Sequence, residues 1–194
     1  MNRFDGNEID WTNQYASIGE FVVEFERLVD KIRFWCSVLF QIRGLKDWEL
    51  SELVFGQRYF TADPLITCFI SLCNVTLKGK EGTKEINKQI EEFQTKFRNQ
   101  ISKRNELLHA TYHIGKHTIE VTDKDVYTEM LAIKNSPNKN GSNKKVVANS
   151  TEEIKKHIEV LQTLNQDFFK LTSDIAIFIS TNKMNVGVQK TVGE

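Results

Sequence analysis

The residues best suited to chemistry lie in one short stretch, from Ile101 to His109. It contains Arg104, Asn105 and His109, which together supply a cation, an amide and an imidazole. Histidine exchanges a proton near neutral pH, and a guanidinium grips a phosphate with parallel hydrogen bonds. These side chains would suit metal-independent RNA cleavage, in which the ribose 2′-hydroxyl attacks the adjacent phosphate. His109 would transfer the proton, Arg104 would stabilise the charged phosphorane, and Asn105 would orient the imidazole or the phosphate.

Arg104 also occupies a position where the helical pattern asks for an apolar side chain. It falls between Ile101 and Leu108, three positions after the first and four before the second. The apolar residues of this stripe are Ile86, Ile90, Phe93, Phe97, Ile101 and Leu108. An unpaired buried charge is costly, so an anion should meet the guanidinium. A carboxylate of a neighbouring helix and a substrate phosphate both meet this need, and the spacing leaves both open.

Helix geometry predicts that a single copy of this motif is incomplete. Asn105, His109 and His113 are spaced by four and share one face of a continuing helix. His109 lies about 140° around that helix from Arg104, so a second surface must close a site over both. Two copies related by a two-fold axis would supply it, which predicts a homodimer. A metal site at His109, His113 and His117 is the weaker alternative, because the helix should end before His117. We expect no metal and no cofactor.

Local charge favours RNA although the whole chain is neutral. Lys plus Arg and Asp plus Glu each number 26, so the formal net charge is zero. No acidic residue occurs between Gln94 and Arg104, which indicates a basic strip on a neutral protein. An aromatic ring after the motif could stack on a base. The predicted RNA-binding residues are Lys96, Arg98, Lys103, Tyr112 and His113.

The pattern Arg-Asn-x-x-x-His near the end of a long amphipathic helix resembles the motif of the HEPN superfamily. Here it reads Arg104, Asn105, three further residues and His109, followed by the small Ala110. The resemblance implies a cytoplasmic homodimer with a composite cleft and metal-independent endoribonuclease activity on single-stranded RNA. It also implies a role as a toxin or in anti-phage defence, with an antitoxin or another regulatory protein as partner.

Two observations keep a second class of function open. Some family members are not nucleases, so the alternative is a non-catalytic helical module that binds RNA, a nucleotide or a protein. Some toxin relatives carry a modified tyrosine two positions after the histidine, whereas this chain has Thr111 there and Tyr112 one position later. The purely structural alternatives are an ion pair for Arg104 and a hydrogen-bonded interface histidine for His109.

The remaining pattern predicts an all-α, up-and-down helical bundle. We expect an N-terminal extension over residues 1–16, a helical domain over 17–182 and a disordered tail over 183–194. Ser-x-x-Glu capping boxes at Ser17 and Ser150 predict the starts of the first and last helices.

Glycine, proline and capping residues between these two helices predict where the other helices begin and end. Gly44 should end the first helix, and Asp63-Pro64 should begin a helix that runs to Leu77. A short helix is predicted around Trp48 to Phe55, and Thr83 should start the motif helix, which fades at residues 112–115.

An irregular or β-hairpin insertion is predicted before the last helix. Residues 117–121 and 126–133 alternate in the manner of strands, and 135–149 has the composition of a flexible loop.

The cysteines and the apolar runs indicate the cellular compartment in which the protein is expected. Cys36, Cys68 and Cys73 each lie in an apolar run, which predicts reduced, buried thiols of a cytoplasmic protein. The longest apolar stretch is too short to span a bilayer, so no membrane association is expected.

Overall fold

A computed structural model of the chain describes residues 11–56, 61–114, 130–138, 141–148 and 150–190. These residues form five helices and one three-stranded antiparallel sheet. The helices are α1 (Trp11–Ile42), α2 (Trp48–Phe55), α3 (Ala62–Leu77), α4 (Lys84–Leu108) and α5 (Thr151–Lys190), and the strands are β1 (Thr111–Ile114), β2 (Met130–Asn138) and β3 (Gly141–Ala148). The chain is therefore mostly helical, as predicted, with a small sheet ahead of the last helix.

Two compact units divide the chain, each assembled from segments that are distant in sequence. Unit 1 comprises Met1–Arg27 and Asn99–Gln162, and unit 2 comprises Leu28–Arg98 and Thr163–Glu194. Helices α1, α4 and α5 contribute residues to both units. Arg104, Asn105 and His109 belong to unit 1.

The two predicted capping boxes have different outcomes. Ser150 precedes α5, and its hydroxyl accepts a hydrogen bond from the Glu153 N–H at 3.2 Å, which confirms that helix start. Ser17 lies inside α1, which begins at Trp11, so that predicted start is wrong. The Ser17 hydroxyl instead donates to the Asn13 carbonyl at 3.0 Å, four residues earlier, as serine does within a helix. Residues 1–10 of the predicted extension lie outside the described residues.

The helices between the first and the last begin and end at or near the predicted residues. Helix α1 ends at Ile42, and Gly44 then adopts a φ of 109°, a conformation that favours glycine. The predicted helix from Trp48 to Phe55 is confirmed as α2. Helix α3 begins at Ala62 with Thr61 as its N-cap, slightly ahead of the predicted Asp63. Asp63 does not cap α3, because it lies within the first turn of the helix, where its carboxylate accepts a hydrogen bond from Arg98.

The region between α4 and α5 contains more regular structure than predicted. The expected loop over residues 135–149 is wrong for its described part, because β3 pairs with β2 in the register Ile133↔Val146 and Lys134↔Lys145. Backbone pairing satisfies the peptide groups of these Asn- and Lys-rich strands whatever their side chains. The predicted strand over 117–121 lies outside the described residues, and the one over 126–133 overlaps the start of β2.

Helix α5 continues further than its predicted end. Its buried apolar residues recur at steps of three and four, as in a helix with one buried face; they are Ile154, Ile158, Leu161, Leu164, Phe168, Leu171, Ile175 and Ile179. The helix runs to Lys190, so residues 183–190 are helical where a disordered tail was predicted. Residues 191–194 lie outside the described part of the chain.

Candidate functional site around Arg104

Arg104 lies on the buried side of α4, but its flanking residues are not the predicted ones. Gln100 and Leu107 are buried, and Arg104 lies between them at helical steps of four and three. The predicted neighbours are wrong, because Ile101 is only half-buried and Leu108 is 39% exposed. The buried face is therefore shifted by one residue from the predicted stripe in the last two turns of α4.

The anion that meets Arg104 in unit 1 is a carboxylate of α1. Arg104 Nη2 lies 3.2 Å from Glu26 Oε1, and Nη1 donates to Asn105 Oδ1 at 3.3 Å. The guanidinium carbon also lies 5.7 Å from the centre of the Phe25 ring, within cation–π range. Of the two anions left open by the sequence, the structure therefore places the carboxylate beside the guanidinium.

This pairing does not occupy the whole guanidinium. Glu26 contacts it through one oxygen and one nitrogen, whereas a full carboxylate–arginine pair uses two parallel hydrogen bonds. Arg104 Nε is buried and has no hydrogen-bond partner among the described residues. The Arg104 side chain is 31% exposed and that of Glu26 is 48% exposed, so solvent reaches both. The pair thus leaves donors of the guanidinium available to a further anion.

His109 lies in the turn that follows α4 and is exposed. The Ala110 N–H donates to the Leu107 carbonyl at 3.2 Å, and β1 then begins at Thr111. The prediction that Asn105, His109 and His113 share one helix face is therefore wrong. His113 belongs to β1, opposite Leu131 of β2, because strand pairing replaces the helix after Leu108.

The predicted basic strip is neutralised by acidic partners. In unit 2, Lys96 Nζ lies 2.9 Å from Asp167 Oδ2, and this pairing raises the pKa of Lys96. Arg98 of unit 2 bonds to Asp63 Oδ1 at 3.2 Å. In unit 1, Lys103 Nζ lies 3.3 Å from Glu153 Oε1.

Tyr112 makes a backbone contact at the end of α4. Its hydroxyl donates to the Leu107 carbonyl at 2.8 Å, which ties β1 to the last turn of α4. Burial of this half-buried side chain raises the pKa of Tyr112. His113 is also half-buried.

Sequence reasoning missed a second polar cluster in unit 1. It consists of Lys103, Glu153 and His157, with the His157 ring packed edge-on against Phe21 at 6.5 Å between ring centres. Burial lowers the pKa of His157, and the positive charge of Lys103 lowers it further. No sequence signal identifies this cluster, or Glu26, because both depend on which helices pack together.

The described residues were also compared with the requirements of a metal site and of a membrane-spanning helix. No group of three or more His, Cys, Asp or Glu side chains in the described ranges is arranged to hold a metal ion. No helix within those ranges is both long enough and apolar enough to cross a membrane.

No family model, no curated protein and no solved structure matches this chain.

Proposed function

We propose that this chain is a metal-independent endoribonuclease that cleaves single-stranded RNA, similar in its motif to the HEPN superfamily. The observation that carries the proposal is the guanidinium of Arg104, which interrupts a buried stripe and retains a buried Nε without an acceptor in the described residues. An arginine in such a position calls for an anionic partner. A phosphate of a bound RNA would meet the solvent-accessible part of this side chain, which is 31% exposed.

The Glu26 contact is too weak to be the sole reason for an arginine at this position. Partly exposed ion pairs contribute about 0–1 kcal/mol, and this one is made through a single oxygen at 3.2 Å. Placing an arginine in an apolar stripe of α4 sacrifices the burial of an apolar side chain, which contributes roughly 1.5–3 kcal/mol. Glu26 would hold the guanidinium in place until the phosphate arrives.

Each residue of the motif has a defined role in the proposed reaction. His109, exposed in the turn after α4, accepts the proton of the 2′-hydroxyl. The 2′-oxygen attacks phosphorus, the bond between phosphorus and the 5′-oxygen breaks, and the 5′-oxygen takes up a proton from water, which gives a cyclic phosphate and a 5′-hydroxyl. Arg104 stabilises the charge on the phosphorane, and Asn105, whose Oδ1 accepts from Arg104 Nη1, fixes the guanidinium.

The proposed site includes a second copy of the chain. Arg104 lies on the buried side of α4, whereas His109 lies in the turn after the end of that helix. A homodimer would bring two sets of these residues to one cleft. Light scattering on the full chain should give the mass of a dimer at micromolar concentration. A stable monomer that still cleaves RNA would remove the composite cleft from the proposal.

The test is cleavage of single-stranded RNA in the presence of EDTA. The wild-type chain should cut RNA and leave DNA of the same sequence intact, because DNA lacks the 2′-hydroxyl. Arg104→Ala and His109→Ala should each reduce the rate by roughly 100-fold or more. Lys88→Ala is the matched control, since it removes a cation of the same helix whose ion pair within the described residues is with Glu92 at 3.8 Å, and it should cut normally.

A non-catalytic RNA-binding module is the second candidate, because a guanidinium with free donors can bind a phosphate without any reaction. A module of this kind would bind RNA in a filter-binding assay and leave it intact at every enzyme concentration. Binding without cleavage would therefore replace the endoribonuclease with the binding module.

A further inference from the structure

A cavity of about 400 Å³ lies between α1 and α2, within unit 2. Its walls include two aromatic rings, Phe34 of α1 and Trp48 of α2, whose centres lie 5.9 Å apart at an angle of 61°. Phe34 is 52% exposed and Trp48 is 38% exposed, so part of each ring is open to a ligand. Small-molecule sites have volumes of roughly 300–1,000 Å³ and aromatic walls with a few polar groups. The size and the lining of this cavity are therefore those of a ligand site.

Contacts at both ends of α2 fix this helix against α1. The Asp47 carboxylate accepts a hydrogen bond from the Leu50 N–H at 3.0 Å and caps α2, whose first residue is Trp48. At the other end, the buried Phe55 ring packs edge-on against Phe40 of α1, with 5.4 Å between the ring centres. The walls of the cavity are therefore in place before a ligand binds, which lowers the cost of binding.

The charges around the cavity favour a cation as the ligand. Arg33 lines the cavity, but its Nε donates to the Phe55 carbonyl at 2.8 Å and its Nη1 is paired with Asp30, so this pair is neutral as a whole. Glu52 lines the same cavity, is exposed, and makes no ion pair within the described residues. The faces of aromatic rings attract cations, tryptophan most strongly, and a carboxylate beside them adds to the attraction. A positive charge is therefore what complements this lining.

We propose that this cavity binds a small organic cation that carries an alkylated ammonium group, such as trimethylammonium. A primary ammonium has three N–H donors to satisfy, and aromatic walls do not accept them as oxygen atoms do. A trimethylammonium has no such donor and is held by ring faces and a nearby negative charge. Phe34 and Trp48 would contact its methyl groups, and Glu52 would balance its charge. These residues belong to unit 2 and the motif around Arg104 belongs to unit 1, so this inference is independent of the RNA reaction.

Two probes of the same shape test the charge preference on the full wild-type chain. One is choline, and the other is its uncharged isostere, the alcohol in which a carbon atom replaces the nitrogen. In an NMR titration, choline should shift the backbone amide signals around the cavity and bind at least about 3-fold more tightly than the isostere, as a cation–π contribution at a partly exposed site predicts. Equal affinities for the two probes would overturn the proposal, and so would the absence of a shift around the cavity with choline.

Variants of α2 test the residues assigned to the site. Trp48→Leu removes the ring but keeps an apolar side chain, and Glu52→Gln removes the charge; each should weaken choline binding at least about 3-fold. Glu49→Gln is the matched control, because it removes a carboxylate of the same helix that does not line the cavity, and it should bind choline as the wild type does. Thermal unfolding verifies that each variant is folded. Equal weakening in Glu49→Gln and Glu52→Gln, or undiminished binding in Trp48→Leu, would contradict a site at this cavity.

Discussion

The two units of this chain differ in how fully their buried polar atoms are satisfied. Both enclose apolar residues, and in unit 2 the Phe168 ring lies 5.4 Å from Phe69 and 5.0 Å from Phe93. Unit 1 contains five of the six buried side-chain polar atoms that lack a partner in the described residues. They are Gln14 Oε1, Gln100 Oε1, Arg104 Nε, Thr151 Oγ1 and His157 Nδ1, and the sixth is Thr76 Oγ1 of unit 2.

This difference gives the two units different expected responses to mutation. Aromatic packing of the kind seen in unit 2 contributes to stability whatever the protein does. Buried polar atoms without partners reduce stability and call for an explanation, such as a ligand or an ordered water. Unit 1, which contains the motif around Arg104, is therefore the unit in which we would test first for a ligand that satisfies such atoms.

Truncation of the unit 2 interior should have the largest effect on stability. Phe168→Ala removes a ring that is 1% exposed and contacts two others, so it should cost about 3–5 kcal/mol. The neighbouring Phe169→Ala is the control, because that ring is 73% exposed and its loss should be within about 0.5 kcal/mol. Urea unfolding of both variants measures the difference. Equal losses would show that the aromatic interior of unit 2 does not hold the fold.

Replacement of a buried amide of unit 1 should raise the free energy of unfolding instead of lowering it. Gln100→Met keeps the length of the side chain and removes an Oε1 that has no partner in the described residues. The free energy of unfolding should rise by roughly 1–3 kcal/mol, since the desolvation penalty of the amide disappears. A loss of stability in the same urea experiment would mean that water or a second copy satisfies this amide, and would weaken the contrast between the units.

The start of α5 offers an intermediate effect on unit 1. Ser150→Ala removes the acceptor for the Glu153 N–H and should cost about 1 kcal/mol in thermal unfolding. Ser17→Ala changes the same sequence pattern within α1, where the hydroxyl bonds to the Asn13 carbonyl, and should cost less. Similar losses from the two variants would contradict the assignment of only one of them as a cap.

The smallest expected effect is the pH dependence due to His157. Its pKa is lowered in the folded chain, chiefly by burial, so the unfolded chain takes up a proton first as the pH falls. Stability should therefore decline below about pH 6.5, the usual histidine pKa, until the lowered pKa of the folded state is passed. In His157→Gln this part of the decline should be absent, as urea unfolding at pH 7.5 and pH 5.5 would measure. An unchanged decline would place the sensitivity in other groups.

Sequence alone predicts those features that depend on neighbours along one helix. The cap at Ser150 is such a local pattern, and the structure confirms it. The apolar stripe of α4 is confirmed as far as Phe97, after which Gln100 and Leu107 are buried instead of the predicted Ile101 and Leu108. Ser17 fits the same capping pattern, yet the residues before it are themselves helical, so the local signal is not sufficient. Helix propensity does not distinguish these cases, because the preceding segment decides whether the backbone has already entered the helix.

Features that depend on distant segments escape sequence reasoning. Strand β3 has the Asn- and Lys-rich composition of a loop, and only its pairing with β2 makes it a strand. Glu26 is one of 26 acidic residues, and nothing near it in the sequence indicates that it meets Arg104. His109 fits the helical spacing of Asn105, but the end of α4 at Leu108 places it in a turn.

The most direct test of the proposed site is to exchange each partner of the Arg104–Glu26 pair for a neutral residue and measure RNA cleavage in EDTA. Arg104→Gln should lose at least about 100-fold in rate, because the charge that stabilises the phosphorane is gone. Glu26→Gln should remain within a few-fold of the wild type, because Asn105 Oδ1 still accepts a hydrogen bond from the guanidinium and no carboxylate competes with the phosphate. If both variants lost the same factor in cleavage rate and the same free energy of unfolding, Arg104 would be only the structural ion-pair partner of Glu26.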